Sequence, residues 1–262
     1  KNVIFFEDNL ISYDHRGKIF IYNINLKKKI FEYNFYKKNY KKFEKEIYIT
    51  INKNILYVAD NLGYLYAINI QTKSLKWAKN YGIPFRSNIK YSNNQIFLAN
   101  QDNVIYSIDS NTGNKNWQYA TNTTFLKANF KNTFALDEPN NNLFFLNTSG
   151  ELYSMDYSAQ KIKWILNFKK STLKGDVDLF LSQTIVYKNN NIIIASENIV
   201  SSFNTNTAQR NWELSVKALL KPILTDNYTY IYAQNDLLIC VDNNTGKVIW
   251  SKNIYSGLDK KQ

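Results

Sequence analysis

Short apolar runs alternate with polar or glycine-containing turns along the whole chain. Residues 55–59 are apolar, Asp60-Asn61-Leu62-Gly63 follow, and 64–68 are apolar again; the same order recurs at 143–146, Asn147-Thr148-Ser149-Gly150 and 151–155. This pattern predicts short antiparallel strands joined by tight turns. A further run precedes each such pair, at 2–6, 46–51, 88–91, 126–130, 181–187 and 221–225, and is read as the first strand of each unit.

Each unit ends in a version of one eleven-residue phrase, clearest as Cys-Val-Asp-Asn-Asn-Thr-Gly-Lys-Val-Ile-Trp at 240–250. The other copies are 21–31, 67–77, 107–117, 154–164 and 202–212. The third position is Asn23, Asn69, Asp109, Asp156, Asn204 or Asp242, and the sixth is threonine in four copies: Thr72, Thr112, Thr207 and Thr245. Asx side chains accept bonds from backbone two residues on and so open turns, and threonine does this more weakly. The seventh position is Gly113 or Gly246 in the two clearest copies, where positive φ meets no Cβ clash. Lys27, Lys73, Gln160 and Ala208 stand there in the others, so those loops either bend differently or carry strain of roughly 1 kcal/mol. The phrase is thus a hairpin, and its last residue (Phe31, Trp77, Trp117, Trp164, Trp212 or Trp250) is an aromatic anchor on the returning strand.

These anchors recur at intervals of 38 to 48 residues. A period in the forties with four strands per unit predicts an all-β chain of four-stranded antiparallel β-propeller blades. A lone sheet of this size cannot bury both faces, so the blades must stack. The chain reads as one propeller domain, 1–262, with blades at about 2–36, 46–80, 87–120, 125–168, 180–216 and 220–255.

Composition adds few functional classes and removes several. No apolar run approaches the length that crosses a bilayer, and no signal peptide is visible; because the first residue is Lys1, a processed N-terminus is expected. The lone Cys240 cannot form an internal disulfide and sits in an apolar strand, so a buried, inert thiol is expected. A net charge of +12 suggests nucleic acid, but only three of 33 basic residues are arginine, the side chain that reads bases and clamps phosphates. Nucleic acid is therefore not expected. One cluster stands out: Lys27, Lys28, Lys29, Lys37, Lys38, Lys41, Lys42 and Lys45, interleaved with Tyr33, Phe35, Tyr36, Tyr40 and Phe43. This 27–45 stretch is either a solvated rim or a contact for an anionic surface such as lipid head groups.

Catalytic chemistry finds little support. His15 is the only histidine and sits in a turn, Asp14-His15-Arg16-Gly17, which excludes a two-histidine metal site. Asp137 and Glu138 precede Pro139 and several asparagines, which reads as a loop first and a weak calcium site second. Phosphate-cradling and zinc-spacing motifs are absent.

The phrase Leu-Tyr-Ala-Ile-Asn-Ile-Gln-Thr-Lys-Ser-Leu-Lys-Trp at 65–77, with its copies at 107–117 and 240–250, resembles the tryptophan-docking repeat of quinoprotein-type propellers. That resemblance implies either an enzyme holding pyrroloquinoline quinone with calcium or a non-catalytic scaffold. The single cysteine departs from the adjacent cysteine pair typical of the enzymes, so no cofactor or metal is expected. The chain is more similar to the scaffold branch, the BamB-like lipoproteins of outer-membrane β-barrel assembly. Leu173-Lys174-Gly175-Asp176-Val177-Asp178 looks like that group's Asp-Val-Asp segment, and Phe125-Leu126-Lys127 like its leucine-rich segment ending in a basic residue. The resemblance implies a periplasmic protein, peripheral to the outer membrane, that binds POTRA domains of a BamA-like partner, with unfolded outer-membrane proteins as a further candidate partner. In that reading Leu126 fills an apolar pocket beside Phe125, Lys127 pairs with a carboxylate, and Asp176 and Asp178 accept hydrogen bonds. The group has eight blades and six copies are visible here. Either the ring has six blades or these are six blades of an eight-bladed ring, and the matching loop segments favour the second. The alternatives are a quinone-dependent dehydrogenase, active or degenerate, and a peptide-binding adaptor.

Overall fold

The computed structural model describes residues 3–34, 36, 40, 42–123, 131–168 and 179–256. It contains six four-stranded antiparallel sheets, each a meander in sequence order. Blade 1 is β1 (Ile4–Phe6), β2 (Asn9–Tyr13), β3 (Ile19–Asn23) and β4 (Lys28–Tyr33); blade 2 is β5 (Ile47–Asn52), β6 (Ile55–Asp60), β7 (Tyr64–Asn69) and β8 (Ser74–Asn80). Blade 3 is β9 (Lys90–Ser92), β10 (Gln95–Ala99), β11 (Val104–Asp109) and β12 (Lys115–Ala120); blade 4 is β13 (Thr133–Asp137), β14 (Asn142–Leu146), β15 (Glu151–Asp156) and β16 (Lys161–Asn167). Blade 5 is β17 (Val186–Lys188), β18 (Asn191–Ser196), β19 (Ile199–Asn204) and β20 (Arg210–Leu214); blade 6 is β21 (Ile223–Leu224), β22 (Tyr228–Ala233), β23 (Leu237–Asp242) and β24 (Val248–Asn253).

Blades 1 to 3, with the chain up to Asn122, form one compact unit, and blades 4 to 6, with the chain from Lys131 onward, form another. Inside each unit the first strands of successive blades adjoin: β1 with β5 and β5 with β9, then β13 with β17 and β17 with β21. The middle strands show why the blades stack. In β6, Leu56 and Val58 pack with Ile11, Ile21 and Phe31 of blade 1, while the alternate Tyr57 and Ala59 pack with Phe85, Ile96 and Leu98 of blade 3. A strand buried on both faces must be apolar along its buried length, as β6 is from Ile55 to Ala59 and β14 from Leu143 to Leu146. The outer strands are largely exposed instead, and β16 reads exposed and half-buried in turn. Each fully buried aliphatic side chain in these seams contributes roughly 2 kcal/mol.

Three of the expected first strands shift. In blade 4 the strand is Thr133–Asp137, not 126–130, which lies outside the described residues. The tight hairpin at Glu138–Asn141 demands it, since Asp137 must pair with Asn142 and Phe134, fully buried, with Phe145. In blade 5 only Val186–Lys188 form a continuous ladder, with Ser182 making an isolated bridge to Ser196. In blade 3 the strand begins at Lys90.

Candidate functional site

The phrase builds one end of every blade. Its third-position side chain opens the turn as expected: Asp109 Oδ1 accepts the Asn111 and Thr112 N–H groups and the Thr112 hydroxyl, and Asp242 Oδ1 does the same for Asn244 and Thr245. These bonds, the Thr112 hydroxyl first at Asp109 and the Thr245 N–H first at Asp242, hold both carboxyls below the usual range. The seventh position is left-handed in all six copies, at φ 70° for Gly113 and Gly246 and at 50°, 54°, 55° and 59° for Lys27, Lys73, Gln160 and Ala208. The four non-glycine loops therefore keep the bend and carry the strain. Just before the anchor each ladder skips one residue, a β-bulge at Ile30, Lys76, Asn116, Lys163, Asn211 and Ile249. A bulge sharpens local twist and re-aims the next side chain.

What the bulge aims is the anchor, which in blades 2, 4 and 5 reaches the next blade. Trp77 Nε1 donates to Ser110 O at 3.1 Å, Trp164 to Thr205 O at 2.9 Å and Trp212 to Asn243 O at 2.9 Å. Each acceptor is the fourth residue of the following phrase. The glycine of that phrase is the seat: a Cβ on Gly113 would lie 2.7 Å from Trp77 Cε3, and one on Gly246 only 2.4 Å from Trp212 Cβ. Behind the indole stands an aromatic of the same blade, Tyr57 for Trp77 and Phe144 for Trp164, which also packs on Tyr91 or Tyr187 of the next blade. Phe31 is buried without an indole donor, Trp117 packs on Phe97, and Trp250 packs on Tyr230 while 42% exposed.

The other end of each blade carries the turns between second and third strands and the connections between blades. There Asp14, Asp60, Asn100 and Asn147 each accept two backbone N–H groups, closing the turn. Asp60 is fully buried; burial raises its carboxyl above the ordinary range, against the Tyr36 hydroxyl bonded to Oδ2 at 2.6 Å. Lys45, also buried, donates to the carbonyls of Tyr40 and Phe43 and lies over the Tyr36 ring at 4.8 Å, its ammonium lowered by desolvation.

The lysine-rich stretch is therefore not one patch. Lys28 and Lys29 lie at the phrase end of β4, where Lys18 and Lys29 both pair with Glu32. Lys42 and Lys45 lie beyond its other end, and Lys45 faces inward. Lys37, Lys38, Lys41 and Phe35 lie outside the described residues.

All five expected partner contacts, Phe125, Leu126, Lys127, Asp176 and Asp178, also lie outside the described residues. The described ends of their two connections converge on one turn of blade 4. Asn132 Oδ1 accepts the Thr148 N–H at 3.0 Å, and Phe180 N–H donates to Thr148 O at 2.9 Å. Gly150 completes this seat, since a Cβ there would meet the Phe180 ring at 3.1 Å.

The Asp137 carboxylate accepts from the Asn140 amide at 2.8 Å and meets the Tyr187 hydroxyl, which burial first and Asp137 second push up to about 12. Among the described residues no three histidine, cysteine, aspartate or glutamate side chains gather into one cluster. No helix among them is long and apolar enough to cross a membrane. Cys240 is buried and unpaired, as expected.

Comparisons with known proteins agree with this geometry. The sequence profile described as outer membrane protein assembly factor BamB matches residues 28–252. Outer membrane protein assembly factor BamB of Moranella endobia (strain PCIT) is 21% identical over 233 residues, covering 79% of this chain and 57% of that protein, so the chain spans little more than half the length of this relative. The crystal structure of BamB from Moraxella catarrhalis superposes with a TM-score of 0.75 at 16% identity, over 96% of this chain and 75% of that one. The computationally designed protein Ika8 follows at TM-score 0.73 and 13% identity, over 96% and 73% of the two chains. With its repeated phrase, docked tryptophans and four-stranded blades, the chain belongs to the family of outer membrane protein assembly factor BamB.

Proposed function

We propose that the chain is a non-catalytic scaffold of outer-membrane β-barrel assembly, located in the periplasm beside the outer membrane. In this reading the seams hold the blades rigid and the connections between blades bind POTRA domains of a BamA-like partner. Leu126, with Phe125, fills an apolar pocket on the partner, Lys127 meets a carboxylate, and Asp176 and Asp178 accept hydrogen bonds. The observation that carries it, beyond family membership, is the convergence on Thr148 of the connections that contain both segments. Two loops rooted on one turn can form one contact surface. Lysine at 127 offers a point charge instead of a bidentate fork, so that pairing is the most replaceable part.

Titration of the whole chain with the POTRA fragment from the same organism tests this reading. Saturable binding is expected, with Leu126→Asp and Asp176→Arg each weakening it by at least about tenfold, the loss that follows from burying an unpaired or repelled charge. A folded wild-type chain that does not bind the fragment refutes the proposal.

A further inference from the structure

The connections differ in what they place over the seam beneath them, and the backbone gives the alignment. Phe85, Ser182 and Ala218 each make the isolated bridge that precedes a blade's first strand, to Asn100, Ser196 and Ala233. The next residue donates in each case to the blade's second strand: Arg86 to Ala99 O, Gln183 to Ala195 O and Leu219 to Tyr232 O. At blade 3 the position is filled. Phe85 is fully buried, edge-on to Tyr81 and Tyr106, and Arg86 is held by Glu46 at 2.8 Å. At blade 6 Ala218 leaves that volume open, and a groove of about 350 Å³ lies there, bounded by Leu181, Ser182, Glu197, Lys217 and Ala218.

Around this groove aliphatic side chains face outward: Leu181 is 39% exposed, Leu219 41% and Leu220 59%. Their backbone is tied down. Gln183 Nε2 donates to Leu219 O at 3.1 Å and reaches Ala218 O at 3.5 Å, clamping one connection to the next. Leucines held in water by a fixed loop gain nothing for the fold, and contiguous exposed apolar side chains mark contact surfaces. Lys217 and Lys221 flank Leu219 and Leu220, are exposed, and make no ion pair among the described residues. Among the described residues that line the groove, Glu197 is the one acid.

We infer that this groove and its leucines form a second docking surface, which takes an apolar side chain of the partner flanked by carboxylates. The inference rests on the scaffold reading and extends it. Leu181 belongs to the same connection as Asp176 and Asp178, so the surface continues the proposed interface into blades 5 and 6. The two lysines select the sign of the partner, and the chain's net charge of +12 acts in the same direction.

The same titration with the POTRA fragment separates the two proposals. Leu220→Asp is expected to weaken binding about tenfold or more, and Lys217→Glu with Lys221→Glu by a few fold, more at low salt. Leu75→Asp, at a leucine on an outer strand that is as exposed as Leu219, leaves binding unchanged. Equal melting temperatures show that the variants fold, and a benzophenone side chain at position 220 should cross-link to the fragment. If Leu220→Asp binds like wild type and no cross-link forms while Asp176→Arg abolishes binding, the second surface is wrong and the scaffold reading stands. If wild type does not bind, both fall.

Discussion

Replacing Gly246 by alanine separates the two tasks that the seventh phrase position performs. The first is conformational: at φ 70° any L-residue pays about 1 kcal/mol. The second is steric. The new Cβ would lie 2.4 Å from Trp212 Cβ and 2.7 Å from Cγ, and because Trp212 Cβ is fixed to its backbone, no rotamer relieves the overlap. The seam must open, at the roughly 1–3 kcal/mol of an overpacked core, and the indole bond to Asn243 O is lost for about 1 kcal/mol more. Gly82→Ala supplies the control, since Gly82 also has positive φ, 80°, but a Cβ there meets nothing within 4 Å. Urea unfolding of both variants, followed by circular dichroism and compared at equal slope, should therefore show Gly246→Ala less stable than Gly82→Ala by about 2–4 kcal/mol, a large share of a typical domain's stability. Equal losses would refute the seat. Ala208→Gly tests the converse: it removes strain under Trp164 and should stabilise by up to about 1 kcal/mol.

Two other perturbations probe buried polar groups. Ser110 finds the Tyr57 hydroxyl, but Phe144 stands at the matching place below Thr205, whose buried Oγ1 has no partner among the described residues. Phe144→Tyr should restore the bond and raise stability by about 1 kcal/mol, whereas Thr205→Val should cost little; a destabilised tyrosine variant in urea unfolding contradicts the alignment. Lys45→Met removes the donor from the Tyr40 and Phe43 carbonyls and a nearby cation from buried Asp60, and should cost about 1–3 kcal/mol at neutral pH. Because burial raises the Asp60 carboxyl above its unfolded value, the folded chain holds that proton more tightly. Stability therefore falls as pH climbs through the carboxylate range and is regained in mild acid. A cost that does not shrink on acidification, or is not largely reversed by adding Asp60→Asn, would show that Lys45 acts by packing alone.

Much of the phrase was legible because turn chemistry uses particular residues. Asp109 and Asp242 had to be turn formers, recurring at one position, and the structure gives each its N–H groups. The bulge was not legible: Ile30, Lys76, Asn116, Lys163, Asn211 and Ile249 share no chemistry, since a skipped residue needs only to be tolerated. Nor was the second role of Gly246, which depends on a tryptophan from another blade. The first strand of blade 4 was misplaced because 126–130 and Thr133–Asp137 are both apolar enough, and only pairing across the Glu138–Asn141 turn chooses between them. Lys45 could not be told from its lysine neighbours, because what distinguishes it is the Tyr36 ring and two carbonyls that the chain folds beneath it. The partner contacts proposed for Phe125, Leu126, Lys127, Asp176 and Asp178 rest on resemblance, since no turn or packing rule selects these residues.

The two ends of a blade answer to different constraints, and this decides where function can reside. At the phrase end the hairpins of blades 3, 5 and 6 open their own turns and also present a carbonyl to the preceding blade's anchor. A change there is felt in two blades, which is why Ala208 keeps its strained left-handed backbone in the hairpin that receives Trp164. At the connection end the obligations are local. Phe85 seals one seam, Ala218 leaves another open, Lys45 folds back beneath its own loop, and Gln183 ties one connection to the next. Different residues satisfy the backbone equally well, so side chains there are free to be chosen by a partner. A binding surface on a repeat protein of this kind belongs at the end where the repeats disagree.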